Sequence, residues 1–295
     1  MMNSDNRDFQ SELQRCQTMV QKRLKSVIKG YSNYGGLRES MRYSLIGGGK
    51  HIRAVICLKF CEASGGKLSN ALDAACAIEM MHTYTLIHDD LPCMDDDDFR
   101  RGKPSNHIKF GEFTATLAGD ALQAAAFETL LASKLPSADV LEMARIFAAA
   151  AGPNGVCGGQ CLDMQEKKSG VEGLKVINNL KTAELISAAA RIGTIAGNGA
   201  PEQRQAADNY ARALGLAFQV RDDVLDEIAT EQELGKPIGS DRGNDKVTFA
   251  SLMGLEECER VIREETEKAI SALSGRFGDA EFLIWLATTL AERKS

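Results

Sequence analysis

Aromatic side chains are scarce in this sequence, at 6% of 295 residues with a single tryptophan. The alternation of β-branched and polar residues that half-buried strands need is missing as well. Ala, Leu, Glu and Lys are plentiful, and with 44% hydrophobic residues the composition predicts an all-α fold. No apolar run approaches the roughly 18 residues that cross a bilayer, so no membrane span is expected. The start, MMNSDNRDFQSELQRC, has no basic-then-apolar signal pattern, and a soluble, cytoplasmic protein is the expectation. Positive charge is not in surplus: 35 Lys and Arg against 41 Asp and Glu give a formal charge of −6. A nucleic-acid partner is excluded on that ground, and any anion bound is small. No CxxC pair exists among the eight cysteines, which lie in apolar helical contexts and are expected as reduced thiols. The four-residue steps Cys57/Cys61 and Cys157/Cys161 fall short of the four clustered donors of a thiol zinc site.

What is present is helical periodicity. Stretches at about 8–29, 37–46, 50–64, 70–89, 112–133, 138–151, 172–197, 202–228, 246–253 and 256–292 read as helices, with no convincing strand. Glycine clusters, among them Gly47 to Gly49, Gly152 to Gly159 and the loop from Gly235 to Gly243, mark turns. Without a low-complexity linker or a fixed-period repeat, residues 1–295 are expected to form one domain.

Two aspartate clusters stand at the C-terminal ends of long apolar helices. In the second, Asp222 and Asp226 are four residues apart, so both carboxylates share one helix face with Asp223 beside them. Like charges in the mainly apolar segment LGLAFQVRDDVLDEI repel, and a hard divalent cation with oxygen ligands relieves that repulsion. The first cluster reads His88-Asp89-Asp90-Leu-Pro92-Cys-Met-Asp95-Asp96-Asp97-Asp98. Pro92 cannot donate to a helix and biases Leu91 away from helical geometry, so the chain ends or bulges there and can fold Asp95 back towards Asp89. Asp96 would align with Asp89 only on a regular helix, and the spacing leaves both open. Arg100-Arg101-Gly-Lys103 follow at once. Acid and base in one short loop suit a metal-bridged oxyanion, with carboxylates on the metal and guanidinium groups on the remaining phosphate oxygens.

HDDLPCMDDDDFRRGKPSNH (88–107) and FQVRDDVLD (218–226) resemble the first and second aspartate-rich motifs of the trans-isoprenyl (polyprenyl) diphosphate synthases, most of all the bacterial farnesyl diphosphate synthases. GGGKHIR (47–53), GGQCLD (158–163), LKT (180–182) and the loop 235–246 add to the likeness in family order. The resemblance implies the isoprenoid synthase fold, helices around a central cavity, a homodimer, and Mg²⁺ as cofactor. It matches Asp89 and Asp95, supported by Asp90, and Asp222 with Asp223 and Asp226, to the metal ligands. Lys50, Arg53, His82 and Arg101 match the residues that hold isopentenyl diphosphate. Arg100, Lys181, Thr182, Gln219 and Lys236, joined by Lys246, match those around the allylic diphosphate. Taken singly, Lys50, Arg53 and Lys181 read as solvated cations and His82 as a core histidine; the joint pattern changes that reading.

The reaction so implied ionises an allylic diphosphate. Metals and arginines stabilise the leaving group, and a dry apolar pocket shelters the carbocation that isopentenyl diphosphate attacks. No nucleophilic triad is needed, and none is found. Tyr84 lies five residues before Asp89, about 7.5 Å down the helix. A phenol there, with Thr85 beside it, can floor the pocket for the growing tail. An aromatic at this position with the longer DDxxxxD first motif resembles the bacterial farnesyl synthases, so the resemblance implies farnesyl diphosphate as product. Geranylgeranyl and geranyl synthases are the alternatives, the former often carrying a smaller or flexible residue at this position. The sequence departs from the related pattern where GGKRLRP would give Arg and Pro and His51 and Ala54 stand instead, at Asn178/Asn179, and in DKVTFA (245–250). A terpene cyclase would carry an Asn/Ser/Glu triad in the second motif. A non-catalytic regulatory subunit would have lost one aspartate motif. Here both persist.

Overall fold

The computed structural model describes residues 8–165, 170–228 and 247–293. Its helices are α1 (Phe9–Lys29), α2 (Leu37–Ile46), α3 (Ile52–Ala63), α4 (Leu68–Asp89), α5 (Asn106–Phe110), α6 (Glu112–Leu131), α7 (Ser137–Ala151), α8 (Val156–Asp163), α9 (Gly170–Asn178), α10 (Glu184–Ala196), α11 (Pro201–Ile228), α12 (Phe249–Met253), α13 (Leu255–Leu273) and α14 (Glu281–Glu292). No helix among the described residues is long and apolar enough to cross a membrane.

Helix packing follows from which faces are apolar. In α3 every residue from Ala54 to Cys61 is buried, and α10 is buried from Leu185 to Ala190 and again from Ile192 to Ala196. Helices apolar all round belong in the middle of a helical layer. Along with the buried central part of α4, these two form the heart of the core. Outer helices show a stripe instead: Cys16, Val20, Leu24 and Ile28 on α1, four residues apart, and Cys258, Ile262, Thr266, Ala269 and Leu273 on α13. A second, smaller apolar cluster gathers Leu174, Val220, Val224, Phe249 and Ile262, so α11 is shared between the two.

The structure corrects the sequence reading in four places. The stretch 172–197 is interrupted by a π-helical turn, Asn179–Ala183, between α9 and α10. The stretch 256–292 breaks after Leu273, where Gly275 takes φ +67°, giving α13 and α14. The short helices α5 and α8 were not anticipated. A strand ladder also exists: β1 (Phe99–Arg100) pairs antiparallel with β2 (Lys103–Pro104). Its two-residue turn, Arg101 and Gly102, has φ of +54° and +71°, the left-handed pair that suits the twist of a tight hairpin. The ladder is too short to show as alternation in sequence. All eight cysteines are free thiols.

Tyr210 ties the long helix α11 to α14. It is fully buried, stands edge-on to Phe60 at 5.3 Å, and donates its hydroxyl to the Leu283 carbonyl at 2.8 Å. Tyr210→Phe removes that hydroxyl donor and leaves the Leu283 carbonyl, inside α14, with its helical partner alone. The expected cost is about 1–2 kcal/mol, read as a lower urea midpoint with an unchanged slope.

Candidate active site

Helix α4 ends at Asp89 because Pro92 follows. Beyond it the chain turns back on itself: Asp95 N–H donates to the Asp89 carbonyl at 2.9 Å, Met94 N–H to the Leu91 carbonyl at 2.8 Å, and Asp96 adopts φ +53°. The fold-back raised for Asp95 in the sequence is therefore the observed one. Burial first, and then the neighbouring carboxylates Asp95 and Asp90, push the Asp89 carboxyl up to about 6 against the opposing pull of Lys181 and Arg100. Asp90 points elsewhere. It is 2% exposed and takes the Arg100 guanidinium, with Nε at 2.8 Å, while Arg100 also reaches Asp97 at 2.9 Å. In this state Asp90 and Arg100 serve each other, so Asp90 fits a supporting position.

The second cluster sits near the C-terminal end of α11. Asp223 is fully engaged: Gln219 Nε2 donates to one oxygen at 3.0 Å and the Phe249 backbone N–H to the other at 2.7 Å. Burial, together with the charges of Asp222 and Asp226, nevertheless pushes it up to about 6. Asp222 is raised too, by burial and by Asp226, with Arg293 and Lys50 opposing.

The π turn joins the two clusters. It presents Lys181, whose charge reaches Asp89, and Thr182, whose hydroxyl donates to Gln219 Oε1 at 3.4 Å. Lys181 is held by Asp163 of α8 at 2.7 Å. Gly159 permits this approach, because a Cβ there would run into the Lys181 backbone. The GGQC segment thus works through backbone proximity.

A cationic set lies on the other side. Lys50 is on the loop before α3; its carbonyl accepts from Gln17 Nε2 at 2.7 Å. The same loop is fastened by Arg101 to the Gly48 carbonyl and by Lys103 to the Gly47 carbonyl at 3.1 Å. Arg53 Nη1 lies 3.4 Å from His82 Nε2. Burial and the charges of Arg53, Arg101 and Arg100 push His82 well below the usual imidazole value, so it is neutral at pH 7. Burial also opposes charge on Arg53, offset by Glu79 and Asp222. Arg53 Nε is buried without a partner among the described residues, an open donor for an oxyanion.

The structure thus gathers Asp89, Asp95, Lys181, Thr182, Gln219, Asp222 and Asp223 about one end of the helical shell, with Lys50 and Arg53 near Asp222 and with His82 and Arg101 beside Arg53. Lys236, Lys246 and the loop 235–243 lie outside the described residues. Sequence reasoning missed Asp163, although its motif was noted, and Arg293. The latter donates to Asp222, with its guanidinium 4.1 Å from the Phe218 ring centre. No spacing rule links residues 71 apart.

Among the described residues, no three potential ligands converge into a closed metal cage. Two raised, mutually repelling carboxylate sets are what a cation shared with a phosphate group would bind, since such a cation takes one or two carboxylates and completes its shell from the phosphate. Carboxylate sets on two helices with arginines and lysines beside them, inside an all-helical shell, define a metal-dependent enzyme acting on diphosphates. The chain belongs to the polyprenyl synthetase family, whose model matches residues 35–280, and is a prenyltransferase. It is 43% identical over 271 residues to the large subunit 1 of a chloroplastic heterodimeric geranylgeranyl pyrophosphate synthase of Arabidopsis thaliana, covering 88% of this chain and 72% of that one. It is 45% identical over 267 residues to chloroplastic geranylgeranyl pyrophosphate synthase 7 of the same plant, covering 88% and 77%. Among solved structures, an FPP/GFPP synthase of Zymomonas mobilis matches with TM-score 0.85 at 32% identity, covering 96% of this chain and 99% of that one. A geranyltransferase of Legionella pneumophila matches with TM-score 0.87 at 32% identity, covering 97% of each.

Asp89 and Asp223 keep a proton up to about pH 6 in the folded chain but release it near 4 when unfolded. These two groups therefore cost the metal-free protein stability as pH rises through that window. A divalent cation relieves the cost only once they are ionised. Added MgCl₂ is expected to raise the melting temperature clearly at pH 7.5 and little at pH 5, by differential scanning fluorimetry.

Proposed function

We propose that the chain uses Mg²⁺ to condense isopentenyl diphosphate with dimethylallyl and geranyl diphosphates and stops at farnesyl diphosphate. Asp89 and Asp95 from one side, and Asp222 with Asp223 from the other, would hold the metal, which supplies charge stabilisation to the departing diphosphate. Lys181, tied by Asp163, and Arg100 add cations on the allylic side. Lys50, Arg53, Arg101 and neutral His82 orient the diphosphate of isopentenyl diphosphate, with His82 contributing a hydrogen bond rather than charge. Thr182 and Gln219 line the path between the clusters without offering a strong nucleophile. The final proton needs no protein base in this reading.

Product length is carried by the position of Tyr84. It is 7% exposed, its hydroxyl meets Cys157 Sγ of α8 at 3.3 Å, and its ring stands edge-on to His88 at 5.4 Å. The Cys157 contact places the phenol between α4 and α8. A tail growing down α4 from Asp89 would reach this phenol. Thr85 bonds its own helix at the His82 carbonyl, 2.8 Å away, and is secondary.

A second reading, geranylgeranyl synthesis, draws on the names of the plant relatives, which are more similar to this chain than the solved structures are. The homodimer implied by the family is part of the proposal as well. Phe113 and Leu117, one turn apart on α6, are 75% and 52% exposed, and we assign this face to a second copy. Cytoplasmic location is proposed on sequence grounds alone.

Purified chain with Mg²⁺, isopentenyl diphosphate and dimethylallyl diphosphate is expected to release pyrophosphate and, after dephosphorylation and chromatography, to yield a fifteen-carbon alcohol. Twenty carbons from the wild type would replace the farnesyl reading by the geranylgeranyl one, and no turnover would leave the non-catalytic subunit. Tyr84→Ala is expected to lengthen the product. Light scattering is expected to give a dimer for the wild type and a monomer for Phe113→Asp.

A further inference from the structure

The cationic pocket is organised by an anion that none of the matched motifs contains. Glu79, on α4 one turn before His82, is 4% exposed. Both of its carboxylate oxygens are used. One accepts from the Ala54 backbone N–H at 3.2 Å, and the other meets His51 Nδ1 at 2.7 Å. Ala54 is in the first turn of α3, whose start has no side-chain cap of its own. The carboxylate therefore caps that helix from a neighbouring one and places negative charge at its positive end. His51 precedes α3 with φ +47°, a left-handed conformation that is unfavourable for a non-glycine residue, and the bond to Glu79 helps hold it there.

The two positions where residues 47–54 depart from the related pattern, His51 and Ala54, are the two that meet on Glu79. Proline at 54 would have no N–H to give. This chain therefore builds its own version of the contact, in which a histidine and a backbone amide share one carboxylate. Arg53 lies between them in sequence. Its charge and that of Arg101 are both favoured by Glu79, the largest opposing charge for each.

Resting on the isopentenyl diphosphate reading of this pocket, we propose that Glu79 is a positioning residue for that substrate: it fixes the start of α3, and so the direction of the Arg53 guanidinium, before the diphosphate arrives. It touches no reacting atom. It also opposes anion binding electrostatically, so two effects compete. Removing its charge while keeping its shape would strengthen the pull on a diphosphate, whereas removing its shape lets Arg53 drift. Positioning is expected to dominate, because a guanidinium that grips two phosphate oxygens loses most of its benefit when misdirected.

The test compares Glu79→Ala, Glu79→Gln and His51→Asn, the last chosen because asparagine tolerates the left-handed conformation. Steady-state kinetics are measured for each substrate in turn. Glu79→Ala is expected to raise the KM for isopentenyl diphosphate about tenfold or more and to leave that for the allylic substrate within about twofold. Glu79→Gln still accepts from Ala54 and is expected to recover most of the loss. Glu79→Ala combined with His51→Asn should be no worse than Glu79→Ala alone, since one contact is being removed twice. Equal rises in both KM values, or a Gln variant as poor as Ala, would overturn positioning. If Glu79→Ala does not fold, Glu79→Gln and His51→Asn decide, an unchanged isopentenyl KM in His51→Asn being the negative result. Absence of turnover in the wild type would instead overturn the reading of the pocket itself.

Discussion

Everything in this molecule is arranged around the repulsion of carboxylates held partly out of water at the ends of two helices. A helix C-terminus is already electronegative, so anions there are doubly unfavourable. Asp89, Asp222 and Asp223 all resist ionisation for that combination of burial and crowding. The fold tolerates the arrangement because cations approach from separate elements: Lys181 from the π turn, Arg100 from the β1–β2 hairpin, Lys50 from the loop before α3, and Arg293 after α14. Lys181, Arg100 and Arg293 are each paired with a carboxylate, so these charges are in place before a ligand supplies its own.

That logic divides the charged residues into those already satisfied and those still open. Asp90 with Arg100, and Lys181 with Asp163, are paired. Arg53 has an unpartnered buried Nε and a long contact to a neutral histidine. Open donors beside crowded acceptors are the signature of a site completed by its ligand.

The helical skeleton was legible in the sequence because burial follows a local period: the four-residue stripe of α1 and the mostly apolar stretches of α3 and α10 can be counted directly. The fold-back at Pro92 was legible for a similar reason, since proline acts on its immediate neighbours. Partnerships were not. Asp90 and Asp89 are adjacent and chemically identical, yet one faces Arg100 and the other Lys181. The pairing of Arg293 with Asp222 and the junction of His51, Ala54 and Glu79 join residues far apart in the chain, and no periodicity encodes them. The π turn escaped notice because its sequence, NLKTA, is an ordinary helical one.

That turn has a geometric consequence of its own. A π turn adds a residue without breaking the hydrogen-bonded run, and each residue advances a helix by about 100°, so the helix before it and the helix after it are out of phase. Leu174 of α9 packs into the small cluster with Val220 and Phe249, while α10 is buried in the main core. One continuous coil thereby serves two hydrophobic interiors, and Lys181 and Thr182 stand at the seam where its orientation changes.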